Sequence, residues 1–555
     1  MKMKKLLVCI ALLTILSMML TACGTNSSTP EPAPAAEETG TEAAATETAA
    51  ETEAVETEEN GEHVLNVLCG GQQVSLEVLE ASTGSSNIVS RALYDCLWDY
   101  YSDDPTNFHF NIATGYEYND DQTVMTIKLR DDACFSDGTP ITAEDILFTL
   151  NYYVGTTQSM AVEVIDFENS YVEDDQTLVL TFTAASPVIA DNFAGLKMVS
   201  KAAYESGDTD KLAFEPVSSG AYMIETFETG EPIVLVKNPY YYAADELYYD
   251  KVVLTCISNE NSRYLTFQSD DAYDIMTINS NEYVAMIRDG DTVGAHLQST
   301  AMQCLVYMAF NTYDYPQFAD VNIRAAIAHA VDWETMIYGI CGDDYTIATS
   351  CLLPHVNWAY YETGVYEYDP ELAAEYLEKA GYKPGEFSFT CRIADEDFNA
   401  EICEAMQAYL SEVGITMNIS LSDSPTVRAE IRNNELECGI AKAMGSGDPT
   451  SVVRSRVSTT PANLYHMVAT PDQGESYLRD LFDEASYSNE GREYRIGLYE
   501  EVQQLMFDYY NCYPLYETNA FLGVRDSLGD IAAACETSMG DLCLSQLTND
   551  LVASW

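Results

Sequence analysis

Asp137, Glu144 and Asp145 stand within nine positions of one another in the stretch FSDGTPITAEDILFTL, residues 135–150. Carboxylates so close can divide acid–base work, one taking a proton while the other gives one. Local chemistry offers each of them a structural role instead. Asp137-Gly138 is a turn signal, because glycine tolerates positive φ and an aspartate side chain bonds its own backbone. Thr142 fits a helix N-cap and Asp145 fits the capping-box acid three residues on. Glu144 and Asp145 both fall in a first turn, where the helix dipole favours negative charge. Ile146, Leu147 and Leu150 supply an apolar face, so the stretch reads as a turn and a helix start rather than a catalytic centre.

Other candidates for chemistry are sparse. The six histidines (His63, His109, His296, His329, His355, His466) are scattered, and none forms HExxH or a Cys/His ligand spacing. Neither GxSxG nor GxxxxGK[ST] occurs. The acid pairs Asp103-Asp104 and Asp343-Asp344 read as solvated turns, and His329 reads as a side chain packed within a helix. Thirteen cysteines follow Cys23 with no CxxC pair. An odd count set among apolar neighbours, as around Cys304 and Cys403, argues against a disulfide framework or a zinc site. Most read as small buried hydrophobes, and an exported chain rich in free thiols points to a reducing or anaerobic habitat. No catalytic residue, metal or cofactor is expected.

These residues sit on a chain of 555 residues, long enough for two to four domains, with 39 Tyr and a net charge of −63. Such acidity repels a phosphate backbone, which excludes nucleic acid as a partner. Lys2, Lys4 and Lys5 form a basic segment before an apolar run from Leu6 to Leu20, the pattern of a secretory signal. Leu20-Thr21-Ala22-Cys23 resembles the bacterial lipobox, which implies cleavage after residue 22 and acylation of the Cys23 sulfur. The alternative is an ordinary signal peptide cut near Ala22. Residues 24–62 contain 11 Glu and no Lys or Arg, so residues 23–61 are expected to form an extended acidic tether. Residues 63–555 still carry about −55.

The opening third of the body reads as β-rich. TVMTIKLR (123–130) and QTLVLTF (176–182) alternate as strands do, and residues 220–242 read as a hairpin turning at Thr229-Gly230. Farther on, Asp320 caps the helical pattern VNIRAAIAHAV, and Asp369-Pro370 opens a helix that Gly381 stops. Strand FSFTCRI (387–393), helix NAEICEAMQAYLSEV ending at Gly414 and strand ITMNISL (415–421) make a βαβ unit with a parallel pair. A further strand, ECGIAKAM (437–444), runs into the loop GSGDPTS. Ligands of α/β sheets bind beyond the carboxyl ends of strands, so this loop is either a binding edge or a plain glycine-rich connection.

Taken in order, STGSSNIVSRALYDCLWDY, KLRDDACFSDGTPITAEDILFTL, PVSSGAYMI, VKNPYYY, VNIRAAIAHAVDWETMI, YDPELAAEYLEKAGY, AYLSEVGITMNI, GDPTS and YEEVQQLMFDYYNCYPLYE resemble the extracellular solute-binding proteins of family 5. These are the receptors of ABC importers that include dipeptide, oligopeptide and nickel binders. The resemblance spans residues 63 to about 530. It implies an α/β fold of the type II periplasmic-binding-protein kind, with two lobes and a hinge. Residues 62–305 would form lobe I with an extra subdomain, 306–512 lobe II, and 513–555 a return to lobe I. Solute clamped between the lobes would be delivered by the closed form to ABC permease subunits, the binding protein itself being a monomer.

The resemblance also points to contacts. Ser82, Thr83 and Gly84 fall where the family's N-terminal loop meets the cleft, although a plain turn is the alternative. Met444, Gly445, Ser446 and Asp448 make up the loop after the last strand. Dipeptide and oligopeptide members carry an acidic residue three or four places before the DP or EP dipeptide, and it grips the ligand's α-amine. Here that place holds Gly445, so the expected solute is a modified or N-blocked peptide or a non-peptide. Asp448 would either substitute or cap the next helix. Trp358 and Tyr465 would either stack on ligand or pack in a core. The leading expectation is a lipid-anchored solute-binding protein on the outer face of the cell membrane. A nickel or metal-chelate binder, a surface sensor and, last, a surface hydrolase stand as alternatives.

Overall fold

The computed structural model describes residues 61–71, 73–78, 84–156, 159–207, 209–312, 314–433, 435–445, 447–450, 477–537 and 539–555, all within the compact unit Ala54–Trp555. The signal segment, Cys23 and all but the last residue of the expected tether lie outside the described residues. In chain order the strands are β1 (Val64–Cys69), β2 (Trp98–Tyr101), β3 (Asp104–Phe110), β4 (Ala113–Tyr118), β5 (Val124–Leu129), β6 (Tyr171–Asp174), β7 (Thr177–Thr181), β8 (Tyr222–Thr226), β9 (Ile233–Lys237), β10 (Lys251–Cys256), β11 (Ile275–Ile278), β12 (Ala295–Phe310), β13 (Thr346–Ile347), β14 (Phe387–Ala394), β15 (Ile415–Ser422), β16 (Cys438–Met444) and β17 (Cys512–Arg525).

Two long strands organise the molecule. β12, of 16 residues, and β17, of 14, lie antiparallel in the middle of a sheet ordered β15-β14-β16-β12-β17-β11-β1-β10-β9-β8. Strands on the β17 side pack a core around Leu65, Val67, Val252 and Leu254. Those on the β12 side pack another around Phe310, Ile323, Phe389 and Met406. Each such side chain removed from water contributes about 1.5–3 kcal/mol, so each half has its own reason to hold together, and the result is a two-lobed α/β fold. The β12–β17 pairing breaks register between Ala301 and Leu305 and again between Val306 and Tyr307. A separate sheet, β4-β5-β7-β6, carries a third core around Phe135, Ile146 and Leu180.

Local sequence rules account for most of the elements. Gly138 has φ +83°, and Asp137 Oδ1 accepts the Thr139 N–H at 2.9 Å. The helix Ala143–Tyr152 begins at Thr142, whose N–H donates to Asp145 Oδ2 at 3.0 Å. The other Asp145 oxygen accepts the Lys201 N–H at 3.0 Å, and Glu144 meets Lys201 Nζ at 2.9 Å. All three acids of that stretch are therefore engaged in structure. The hairpin β8–β9 turns through Gly230 at φ +93°. Asp320 and Asp369 cap the helices Val321–Ala330 and Pro370–Lys379. The strands β14 and β15 pair in parallel around the helix Asn399–Glu412. His329 is buried between the Glu367 carbonyl at 2.8 Å and the Tyr510 hydroxyl at 3.1 Å.

Three features depart from local expectation. Neither β12 nor β17 shows as a long strand in the pattern, because both run through two environments and lose their alternation. Asp343 and Asp344 do sit in a turn and Asp343 is exposed, but the Asp344 carboxylate is not left to solvent: its Oδ2 meets Arg288 Nη1 at 2.5 Å. The described cysteines are free thiols, and most are buried, but two of them lie closer together than packing requires.

Candidate functional site

The carboxyl ends of β11, β14 and β16 face one another across the crossing strands, and a cavity of about 190 Å³ opens between them. A ligand of amino-acid or small-peptide dimensions is of that order; an engineered protein cavity of roughly 150 Å³ takes up benzene. The first lobe contributes Ile278 and Asn279 at the end of β11, with Asn281 opening the helix Asn281–Arg288. The long strands contribute Met302 and Cys304 from β12 and Tyr516, Thr518 and Phe521 from β17. The second lobe contributes Tyr345, Asp397 and, from β16, Lys442 and Met444.

Lys442 and Met444 are two apart on a strand and so share a face. That face carries the site's charge: Lys442 Nζ pairs with the Asp397 carboxylate. Asp397 itself sits at φ +48°, an unfavourable region for a residue with a side chain, which the surrounding structure must enforce. The Tyr516 hydroxyl lies fully buried and finds no hydrogen-bond partner among the described residues. A buried hydroxyl without a partner costs stability unless something satisfies it, and burial raises its pKa well above the ordinary tyrosine range. Tyr345 donates to Asn281 Oδ1 across the lobes, and Asn519 Nδ2 donates to the Asp344 carbonyl at 2.7 Å. β16 pairs with β12 along all of Cys438–Met444, whereas its other edge pairs with β14 at Cys438 and Gly439 alone. Among the described residues no strand covers that edge along Ile440–Met444.

Of the residues expected from sequence, Met444 lines this cavity. Gly445 follows it and donates its N–H to the Gln303 carbonyl at 2.8 Å. Gly84 opens the helix Gly84–Leu93, while Ser82, Thr83, Ser446 and Tyr465 lie outside the described residues. Asp448 is buried away from the cavity. Its Oδ1 accepts the Thr450 N–H at 2.8 Å and its Oδ2 the Arg495 Nη2 at 2.6 Å, so it serves as a capping and ion-pairing group. Trp358 lines a second cavity of about 130 Å³ with Tyr100, Asp191, Arg492 and Arg495. Sequence reading missed Asn279, Asn281, Tyr345, Asp397, Lys442 and Tyr516. Lys442 had a legible signal, one cation alternating with Met444 at the end of a strand. Asp397 had none, since no glycine marks its backbone.

The second cavity marks where the lobes meet on the other side. Arg492 Nη2 donates to the Thr106 carbonyl at 2.6 Å, and Gly447 packs directly on the Tyr100 ring. Tyr100 donates to Asp191 Oδ1 at 2.5 Å. Burial first, and then the nearby Asp448 charge, push Asp191 up to about 7. Its folded-state pKa exceeds the unfolded value near 4. Between these values the folded protein keeps a proton that the unfolded chain has lost, so the stability that this group contributes is fully present below about pH 4 and is lost as pH rises to about 7. Urea midpoints at pH 5 and pH 8 are expected to differ less in Asp191→Asn than in the wild type, and an unchanged difference contradicts the assignment.

Comparison with known proteins gives consistent matches. The profile of the bacterial extracellular solute-binding proteins, family 5 Middle, matches residues 107–463. A Brucella ovis protein named as an ABC transporter peptide-binding protein is 24% identical over 406 residues, covering 69% of this chain and 74% of its own. Among solved structures, the ABC transporter substrate-binding protein CtaP of Listeria monocytogenes superposes with a TM-score of 0.76 at 20% identity, over 87% of this chain and 99% of its own. The unliganded open form of the periplasmic murein tripeptide binding protein MppA gives 0.74 at 19% identity, over 88% and 97%.

Proposed function

Because the chain belongs to the family 5 bacterial extracellular solute-binding proteins, we propose that it captures a small peptide-like solute in the interlobe cavity and presents it to the permease of an ABC importer. As a member of that family it is a binding protein rather than an enzyme, and it works outside the cytoplasm. The observation that carries the ligand class is the Lys442–Asp397 pair beside the uncovered edge of Ile440–Met444. An extended peptide can add to such an edge through main-chain hydrogen bonds. A ligand carboxylate takes Lys442 while a cationic end takes Asp397, which supplies the negative charge that Gly445 lacks. Each charge enters the bound state already partnered, so neither is left alone in a desolvated site.

The expected boundaries at 305/306 and 512/513 fall within β12 and at the start of β17, which supports reading those strands as the hinge. Solute touching both lobes favours the closed arrangement by its differential affinity. Acylation at Cys23 would hold a monomer to the outer face of the membrane, with residues 24–61 as tether; among the described residues no helix is long and apolar enough to cross a membrane.

Native mass spectrometry of protein purified from its source is expected to show a co-purified zwitterionic solute. Lys442→Met is expected to weaken its binding about tenfold, the scale of one charge-assisted hydrogen bond. A bound metal chelate, or equal affinity in the variant, would replace this reading with the non-peptide one.

A further inference from the structure

We propose that Cys69 and Cys256 form a peroxide-sensitive dithiol, a modification site in which a hydroperoxide converts the two thiols reversibly to a disulfide. Their sulfurs are 3.1 Å apart. The two residues are register partners at the carboxyl ends of the parallel strands β1 and β10. Neighbouring strands lie about 4.8 Å apart, inside the Cα separation of roughly 4.4–6.8 Å that a disulfide spans, so bonding requires the sulfurs to close by about 1 Å without moving the backbone.

The two thiols are unequal in a way that suits the reaction. Cys256 is partly exposed, whereas Cys69 is fully buried behind it. The Cys69 S–H hydrogen bond, assisted by the Gln73 backbone N–H, holds the Cys256 thiol below its ordinary range against the opposing effect of its partial burial. The thiolate is the nucleophile, so Cys256 is the sulfur that attacks. Its sulfur attacks the distal oxygen of the peroxide, forming an S–O bond as the O–O bond breaks and giving a Cys256 sulfenic acid, while the departing alkoxide or hydroxide takes a proton. The Cys69 sulfur then attacks the sulfenic sulfur. An S–S bond forms, the S–O bond breaks, and the hydroxyl leaves with the Cys69 proton as water. The peroxide has been reduced by two electrons and the thiol pair oxidised by two.

No other described cysteine combines these properties. Cys134 also reaches the surface. Cys391 and Cys403 lie 3.7 Å apart, but both are fully buried in the second lobe's core. The proposed bond would join the exits of β1 and β10, next to β11, which ends at the solute cavity.

Reduced, folded full-length protein is treated with a small excess of hydrogen peroxide, alkylated and mapped by mass spectrometry without reduction. The expected result is one cross-linked peptide pair joining Cys69 to Cys256, lost after dithiothreitol. In Cys69→Ser the cross-link disappears and dimedone labels Cys256. The proposal is overturned if the wild-type protein cross-links at other cysteines, or if Cys134 is oxidised while Cys69 and Cys256 stay reduced.

Discussion

Arg495→Met is expected to destabilise the folded protein by about 3–5 kcal/mol, the range for breaking one side of a buried ion pair. The side chains of Arg495 and Asp448 are only 5% and 1% exposed, and they meet at 2.6 Å. Water therefore cannot screen what is lost. The guanidinium also donates through Nε to the Ala485 carbonyl at 2.6 Å and lies 5.2 Å from the centre of the Trp358 ring. Methionine can replace some of that packing but none of the charge. Asp448 loses the Arg495 guanidinium, with Asp191 close enough to feel its charge. Breaking one side of such a pair leaves the other charge buried without the ion it faced, which is the source of the cost. Urea denaturation at pH 7 measures the deficit. Asp448→Asn is expected to show a loss of the same order, because arginine cannot shed its proton to escape burial. A deficit below about 1 kcal/mol in both variants would show that the pair is hydrated.

The contrast between Asp448 and Lys442 shows which parts of this site a sequence displays. Turn and cap chemistry is local: Asp137-Gly138, Thr142 with Asp145, Asp369-Pro370 and Gly414 each constrain residues a few positions away, and the structure places them as the pattern predicts. The loop after β16 was legible for the same reason, since the end of a strand can be seen in alternation. What the loop's side chains contact was not. Asp448 looks the same in sequence whether it faces solute or Arg495, and the difference is made by a helix that starts more than forty residues later. Asp397 enters the cavity through a positive φ that no glycine announces. The crossing strands were hidden too, because β12 passes from one core into another within 16 residues, and no single periodicity describes both halves. Pairing between distant segments builds the solute cavity, so its lining is settled by topology rather than by any local motif.

Gly447→Ala is expected to lower solute affinity by about 5- to 150-fold while leaving the stability of the separated lobes nearly unchanged. A Cβ at Gly447 would stand 1.9 Å from Tyr100 Cε2 and 2.5 Å from Cζ. Real Cβ contacts never approach so closely, so one of the two must move. Tyr100 has little freedom, being buried and hydrogen-bonded to Asp191 at 2.5 Å. Forcing an extra carbon into such a contact costs about 1–3 kcal/mol. On the lobe boundaries proposed above, Gly447 falls in the second lobe and Tyr100 in the first, so that cost applies where the lobes touch and vanishes once they part. The variant's equilibrium therefore moves toward separation by the same amount. A solute that must draw the lobes together loses that much binding free energy, which converts to the stated factor. The interrupted pairing between Ala301 and Leu305 gives the strands a place to bend in either direction. Calorimetric titration with the solute identified by native mass spectrometry measures the loss, and small-angle scattering with solute present should show a larger radius of gyration than the wild type. If Gly447→Ala binds as tightly as the wild type, the contact between Tyr100 and the loop is not part of the solute-bound form, and closure must be sought in the Arg288–Asp344 side of the cleft.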